Sequence, residues 1–141
     1  MSATYVDTNV LVYALLAPTR KLQPHEVDLK EAAKHVVERI NEGENVCCSV
    51  VHFSEICNIL ECYLPLKQAL TFEKGLLLRE NIHVCDVSQD DYLDAVSIAE
   101  QYPVGLNDAL AYVMMKKAEI SRIYSFDKHF DCFNEITRLT E

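Results

Sequence analysis

The sequence has little that bends, staples or anchors a chain. Three glycines and four prolines in 141 residues exclude a collagen-like or linker-rich protein. Neither a Gly-x-Gly-x-x-Gly run nor a P-loop occurs, so no glycine-rich loop cradles nucleotide phosphates. No Ser-His-Asp pattern can be picked out. The cysteines Cys47, Cys48, Cys57, Cys62, Cys85 and Cys132 contain no Cys-x-x-Cys spacing, which argues against a zinc framework. They read as buried small apolar residues kept as thiols in a reducing cytosol. On a strand, the adjacent Cys47 and Cys48 point to opposite faces. Apolar runs such as Val10 to Ala17 fall far short of the roughly 20 residues of a membrane span. The opening MSATYVDTNV has no basic region before its apolar residues, so it does not read as a secretory signal. The expected location is the cytoplasm. Positive charge is also short: 13 basic against 22 acidic residues give a net charge of −9. That excludes a generic basic module for DNA or membranes. It stays compatible with a metal-dependent enzyme, whose carboxylates raise the acidic count.

What is present is globular. Half the residues are hydrophobic and a quarter are charged. The length suggests roughly one domain, residues 1–141, able to fold without disulfides. Short β-like runs alternate with helical stretches, which predicts a parallel sheet covered by helices on both faces.

Along the chain, strands are expected at Ala3 to Val6, Asn45 to Cys48, Ile82 to Val87 and Arg122 to Phe126, with a fifth at Ile136 to Leu139. A short helix follows Asp7-Thr8-Asn9 from Val10 to Leu16, and residues 18–27 read as a loop. Asp28 and Glu31 form a capping-box pattern for a helix that ends at Gly43. Ser49 caps a helix to Tyr63, Pro65 breaks the chain, and Leu66 to Arg79 is helical. Ser88 and Asp91 open a helix to about Tyr102. Asn107 reads as the cap of an apolar, buried helix from Asp108 to Ala118.

Most acids fall on helix starts or polar faces and read as solvated. Four stand apart. Asp7 and Asp127 lie at the carboxyl ends of the first and fourth strands, the edge where parallel sheets bind ligands. Asp108 opens the buried helix. Glu55 sits inside a helix beside its apolar stripe, with no Lys or Arg within one turn. Each Asp also has a bland reading as a cap. If the four converge, they repel and take up protons unless a cation joins them. Oxygen donors without a His/Cys framework then point to Mg²⁺ or Mn²⁺. His52 and Glu55 share a helix face, and His52 reads as a partly buried residue at the site rim.

Four segments carry a resemblance: YVDTNVLVYAL around Asp7, SVVHFSEICNIL around Glu55, GLNDALAYVMM around Asp108 and IYSFDKHFD around Asp127. In this order and spacing, over nearly the whole chain, they resemble PIN-domain ribonucleases, the family of VapC-like toxins and related prokaryotic proteins. The resemblance implies a three-layer α/β/α sandwich around a mainly parallel sheet of four to five strands. It also implies Mg²⁺- or Mn²⁺-dependent cleavage of RNA, with Asp7, Glu55, Asp108 and Asp127 as metal ligands. Asn9 and Ser125 take supporting polar roles, and Thr8 helps position Asp7. Many relatives carry a second acid two residues after the position of Asp127. Here that residue is His129, and Asp131 is the candidate substitute.

An antitoxin protein and a second copy of the chain are the implied protein partners, and the Leu64 to Leu78 region is the expected apolar contact. RNA needs a basic rim, for which Arg20, Lys21, Lys67, Lys116, Lys117 and Lys128 are candidates. The alternatives are an inactive PIN-like protein- or RNA-binding module and an Asp-dependent phosphotransfer domain. The second is disfavoured by Asn9 and by Tyr5-Val6, where such domains commonly need acids.

Overall fold

The computed structural model describes residues 3–16 and 20–141. Its elements are β1 (Thr4–Val6), α1 (Thr8–Leu15), α2 (Pro24–Asn41), β2 (Val46–Ser49), α3 (Val50–Tyr63) and α4 (Leu66–Leu78). They continue with β3 (Ile82–Cys85), α5 (Gln89–Gln101), α6 (Leu106–Lys117), β4 (Arg122–Tyr124), a 3₁₀ turn (Lys128–Cys132) and β5 (Thr137–Leu139). The five strands form one sheet in the order β3-β2-β1-β4-β5, and every neighbouring pair is parallel. The expected three-layer α/β/α architecture is therefore present.

The layers follow from the two-residue period of the strands. Tyr5, Cys47 and Ile123 pack with the apolar residues of α6 and with Phe130 and Phe133. Their neighbours Val6, Val46 and Tyr124 pack on the other side, against Val10 of α1 and Ala33, Val36 and Ile40 of α2. A third cluster of Ile56, Leu60 and Ala69 joins α3 to α4. Residues 109–115 of α6 are all buried, as their continuous apolar run predicts. Among the described residues, no helix is long and apolar enough to cross a membrane.

Several boundaries differ from the sequence reading. α2 begins at Pro24, so the expected loop over residues 18–27 ends early and Asp28 is already inside the helix. Pro18 itself lies outside the described residues. Pro24 at the first helical position presets φ, and Glu26 Oε1 accepts the Gln23 N–H at 3.1 Å. The Arg20 guanidinium grips both Glu26 oxygens at 2.9 and 2.7 Å, which holds that carboxyl down at about 2. α6 is capped by Gly105 rather than Asn107. α1 starts at Thr8, and Asp7 is its N-cap residue without a side-chain capping bond. Ser88 and Asp91 do form the expected capping box. All six cysteines are free; Cys47 and Cys48 are buried as expected, but Cys57, Cys85 and Cys132 are only partly buried and Cys62, on the last turn of α3, is exposed.

The strand order positions the site. From β1 the chain moves outward to β2 and β3, then crosses back to place β4 on the other side of β1. This reversal opens a crevice beyond the carboxyl ends of β1 and β4.

Candidate active site

Asp7 directly follows β1 and Asp127 lies just beyond β4. Because these strands are adjacent and parallel, both carboxylates emerge at one edge of the sheet. The Asp7 N–H extends the ladder by one bond to the Tyr124 carbonyl, at 2.9 Å. Ser125, fully buried, links the two acids. Its Oγ donates to Asp7 Oδ2 at 2.7 Å and accepts the Asp127 N–H at 3.0 Å.

α6 brings Asp108 to the same place, in its first turn. One ligand atom from each of Asp108, Asp127 and His129 lies within 4.8 Å of the others. Burial pushes the Asp7 carboxyl up; the Ser125 hydroxyl opposes this, and the Asp127 charge reinforces it. Asp108 is pushed up to about 6, first by burial and then by the charges of Asp127 and Asp7. The dipole of α6 favours an anion in its first turn, so burial and like charge outweigh it here. Asp7, Asp108 and Asp127 have no Lys or Arg partner among the described residues. Asp7 lies outside that 4.8 Å group and is joined to it through charge and through Ser125; carboxylates gathered this way without a balancing Lys or Arg fit a divalent cation.

Glu55 reaches the edge of this group through neutral donors. Thr8 Oγ1 donates to its Oε2 at 3.3 Å and Asn107 Nδ2 to its Oε1 at 2.7 Å. Thr8 and Asn107 are the sequence neighbours of Asp7 and Asp108, so Glu55 is tied to both. The half-buried carboxylate thus needs no cation beside it. The Thr8 hydroxyl serves Glu55 rather than Asp7. Asn9 is exposed, with no side-chain hydrogen bond among the described residues. Asp131 faces away from the group: its two oxygens are held by Arg138 at 2.9 and 3.2 Å.

His52 is buried rather than at the rim. Its Nδ1 lies 2.8 Å from Tyr5 Oη and 2.6 Å from Ser49 Oγ, and its Nε2 lies 3.1 Å from the Asn107 carbonyl. It therefore joins β1, β2 and α3 to the start of α6. Neither Asn107 nor this role of His52 is signalled by the sequence, beyond the three-residue spacing of His52 to Ser49 and Glu55. Among the basic candidates, Arg20 pairs with Glu26 and Lys117 with Asp91. Lys116 lies 3.9 Å from Glu135 and 5.4 Å from the centre of the Tyr112 ring. Lys128, exposed next to Asp127, has no ion pair among the described residues.

The chain resembles a toxin–antitoxin complex from Klebsiella pneumoniae at 14% identity, with a TM-score of 0.68 over 99% of this chain and 98% of that one. It resembles the sarcin-ricin loop cleaving toxin VapC20 of Mycobacterium tuberculosis at 20% identity, with a TM-score of 0.66 over 92% and 94%. It also resembles VapBC2 from Rickettsia felis, solved with a DNA fragment from its promoter, at 12% identity and a TM-score of 0.66 over 97% of each chain. At these identities the likeness is one of fold. No curated protein sequence matches the chain. The family model described as PIN domain matches residues 4–136, nearly the whole of the chain and all four of the acids singled out above, and the protein therefore belongs to the PIN domain family.

Proposed function

We propose that this chain is a ribonuclease that hydrolyses RNA phosphodiester bonds with a divalent ion, Mg²⁺ or Mn²⁺. The observation that carries this reading is the meeting of Asp108 and Asp127, with donor atoms within 4.8 Å of each other, in the crevice beyond β1 and β4, where the Asp7 charge also acts on Asp108 and no Lys or Arg among the described residues balances the three. These three would hold the ion, with Glu55 beside them. Once bound, the ion supplies Lewis-acid charge to the phosphate and lowers the pKa of a coordinated water.

The chain's own groups do the positioning. Ser125 fixes one oxygen of Asp7. Thr8 and Asn107 each occupy one lone pair on the Glu55 oxygens. The other lone pairs are left for a water or a substrate hydroxyl. Lys128 suits a backbone phosphate on the rim, and the acidic remainder of the molecule limits binding elsewhere.

The partners follow the same reading. α1, α2 and α4 border an apolar groove lined by Leu15, Val37, Phe72 and Leu76. On α4, Leu66, Leu70, Leu77 and Leu78 are more than half exposed. This surface suits an antitoxin segment or a second copy of the chain, with the cytoplasm as the place of action.

The test is cleavage of a mixed RNA pool with Mg²⁺ or Mn²⁺, with EDTA as control. Asp7→Asn and Asp108→Asn should each lower cleavage by roughly a hundredfold or more while the fold is kept. Full activity in Asp7→Asn would sink the assignment. A folded wild type that neither cleaves RNA nor binds Mn²⁺ would favour the inactive binding module.

A further inference from the structure

We propose that His129 gives a ring nitrogen to the divalent ion alongside Asp108 and Asp127, making the site selective for a first-row transition ion such as Mn²⁺ over Mg²⁺. The inference rests on the metal-site reading above.

The geometry comes from the 3₁₀ turn. Asp127 caps it, and its Oδ1 accepts the His129 N–H at 2.9 Å. This fixes the His129 backbone against the carboxylate, and the ring folds back onto it: Nδ1 lies 2.8 Å from the same Oδ1. Donor atoms of Asp108, Asp127 and His129 are mutually within 4.8 Å. Ligands about 2.1 Å from one ion stand roughly 3 to 4.2 Å apart, from adjacent to opposite positions. The 4.8 Å span is slightly wider than this, so a small side-chain rotation brings the three donors to coordination spacing.

The other imidazole beside the acids is already committed. Both ring nitrogens of His52 are hydrogen-bonded, to Tyr5 or Ser49 and to Asn107. His129 is exposed, so its ring can turn toward an ion at little structural cost. Asp131, the nearby acid that could have restored an all-oxygen set, is held by Arg138. The donor set is thus mixed. Mg²⁺ demands oxygen ligands and sheds water reluctantly, whereas imidazole favours transition ions.

One rival explains the same contact. A protonated His129 could stand in for the ion and neutralise Asp127. The two differ in sign: a ligand strengthens metal binding, and a competing cation weakens it.

The experiment uses the full chain and reads metal binding directly. Mn²⁺ is titrated into wild type, His129→Ala, His129→Asp and Asp108→Asn, with Mg²⁺ as competitor. Nitrogen coupling to bound Mn²⁺ is read by pulsed electron paramagnetic resonance. Wild type should show ¹⁴N coupling and prefer Mn²⁺. His129→Ala should lose the coupling and bind Mn²⁺ about tenfold more weakly. His129→Asp should bind Mn²⁺ without nitrogen coupling and narrow its preference over Mg²⁺. Mn²⁺ bound by wild type and lost in Asp108→Asn, but without nitrogen coupling, would overturn the role of His129 and leave the metal site standing. Tighter Mn²⁺ binding in His129→Ala would do the same and identify the ring as a counter-charge. No Mn²⁺ binding by wild type would overturn the metal site and this inference together.

Discussion

His52 is 4% exposed, and its ring completes the hydrogen bonding of groups that their other neighbours satisfy only in part. Burial pushes the Tyr5 phenol far above its ordinary range, so it stays a neutral donor. Its oxygen also accepts the Ser49 N–H at 3.1 Å. Removing the ring would leave Tyr5 Oη, Ser49 Oγ and the Asn107 carbonyl short of partners and open a cavity. His52→Ala should therefore cost on the order of 3 kcal/mol, measured by urea unfolding. It should also loosen the start of α6, weakening Mn²⁺ binding in the protein that remains folded. A cost below about 0.5 kcal/mol, the range of an ordinary surface change, would show that the network is not structural. This residue marks the limit of what the sequence discloses. Asp7, Asp108 and Asp127 were legible because strand ends and a buried helix start are places where a carboxylate asks for a reason. Glu55 was legible as an anomaly inside a helix. Its partners were not, because Thr8 and Asn107 are neutral and lie 47 and 52 residues away. Asn107 looked like a cap because asparagine favours that position. In the fold its side chain is taken by Glu55, and Gly105 caps the helix. Asp131 looked available because nothing local shows that Arg138 claims it.

Elements were read best where local chemistry and burial agree. α6 was visible from its apolar run, and α5 from Ser88 and Asp91. The start of α2 departs from the sequence reading because a proline after an ordinary glutamine reads as loop, while the Arg20–Glu26 contact that completes the start is invisible to periodicity. The end of α6 carries a further conflict. The Ile120 N–H reaches the Met115 carbonyl at 2.8 Å and the Glu119 N–H the Lys116 carbonyl at 3.2 Å, the paired bonds of a Schellman motif. The residue that must turn left-handed is Glu119, at φ 56°. A side chain there costs roughly 1–2 kcal/mol relative to glycine, and glycine gives back part of that through its freer unfolded chain. Glu119→Gly should thus stabilise the protein by about 0.5–1 kcal/mol in thermal or urea unfolding. A destabilised variant would mean that the Glu119 side chain makes a contribution larger than its backbone strain.

At the scale of the whole molecule, the topology was legible and the outer surface was not. Alternating elements imply a parallel sheet, and the connection rules for such sheets narrow where the chain reverses. Which helix faces meet water and which meet a partner is not written in an apolar count. On α4, Leu66, Leu70 and Leu77 recur at intervals of four and seven residues, yet they are 59%, 51% and 55% exposed. A helix that buries Ala69 against α3 has placed its leucines along the border of that contact. Exposed side chains in such a row add little to the fold, because they leave little surface to water's exclusion until something covers them. Replacing Leu70 and Leu77 together with glutamate should accordingly shift the melting temperature by only about 1–2 °C at dilutions where both proteins are monomeric, the effect of a surface change of about 0.5 kcal/mol in a chain of this size. The same pair of changes should abolish association through this face. In sedimentation velocity at micromolar concentration, we expect the wild type to run as a dimer and the double variant as a monomer. A monomeric wild type would remove the homodimer and leave the α4 face to a different partner, such as an antitoxin. A dimer in both proteins would place the homodimer contact on another surface.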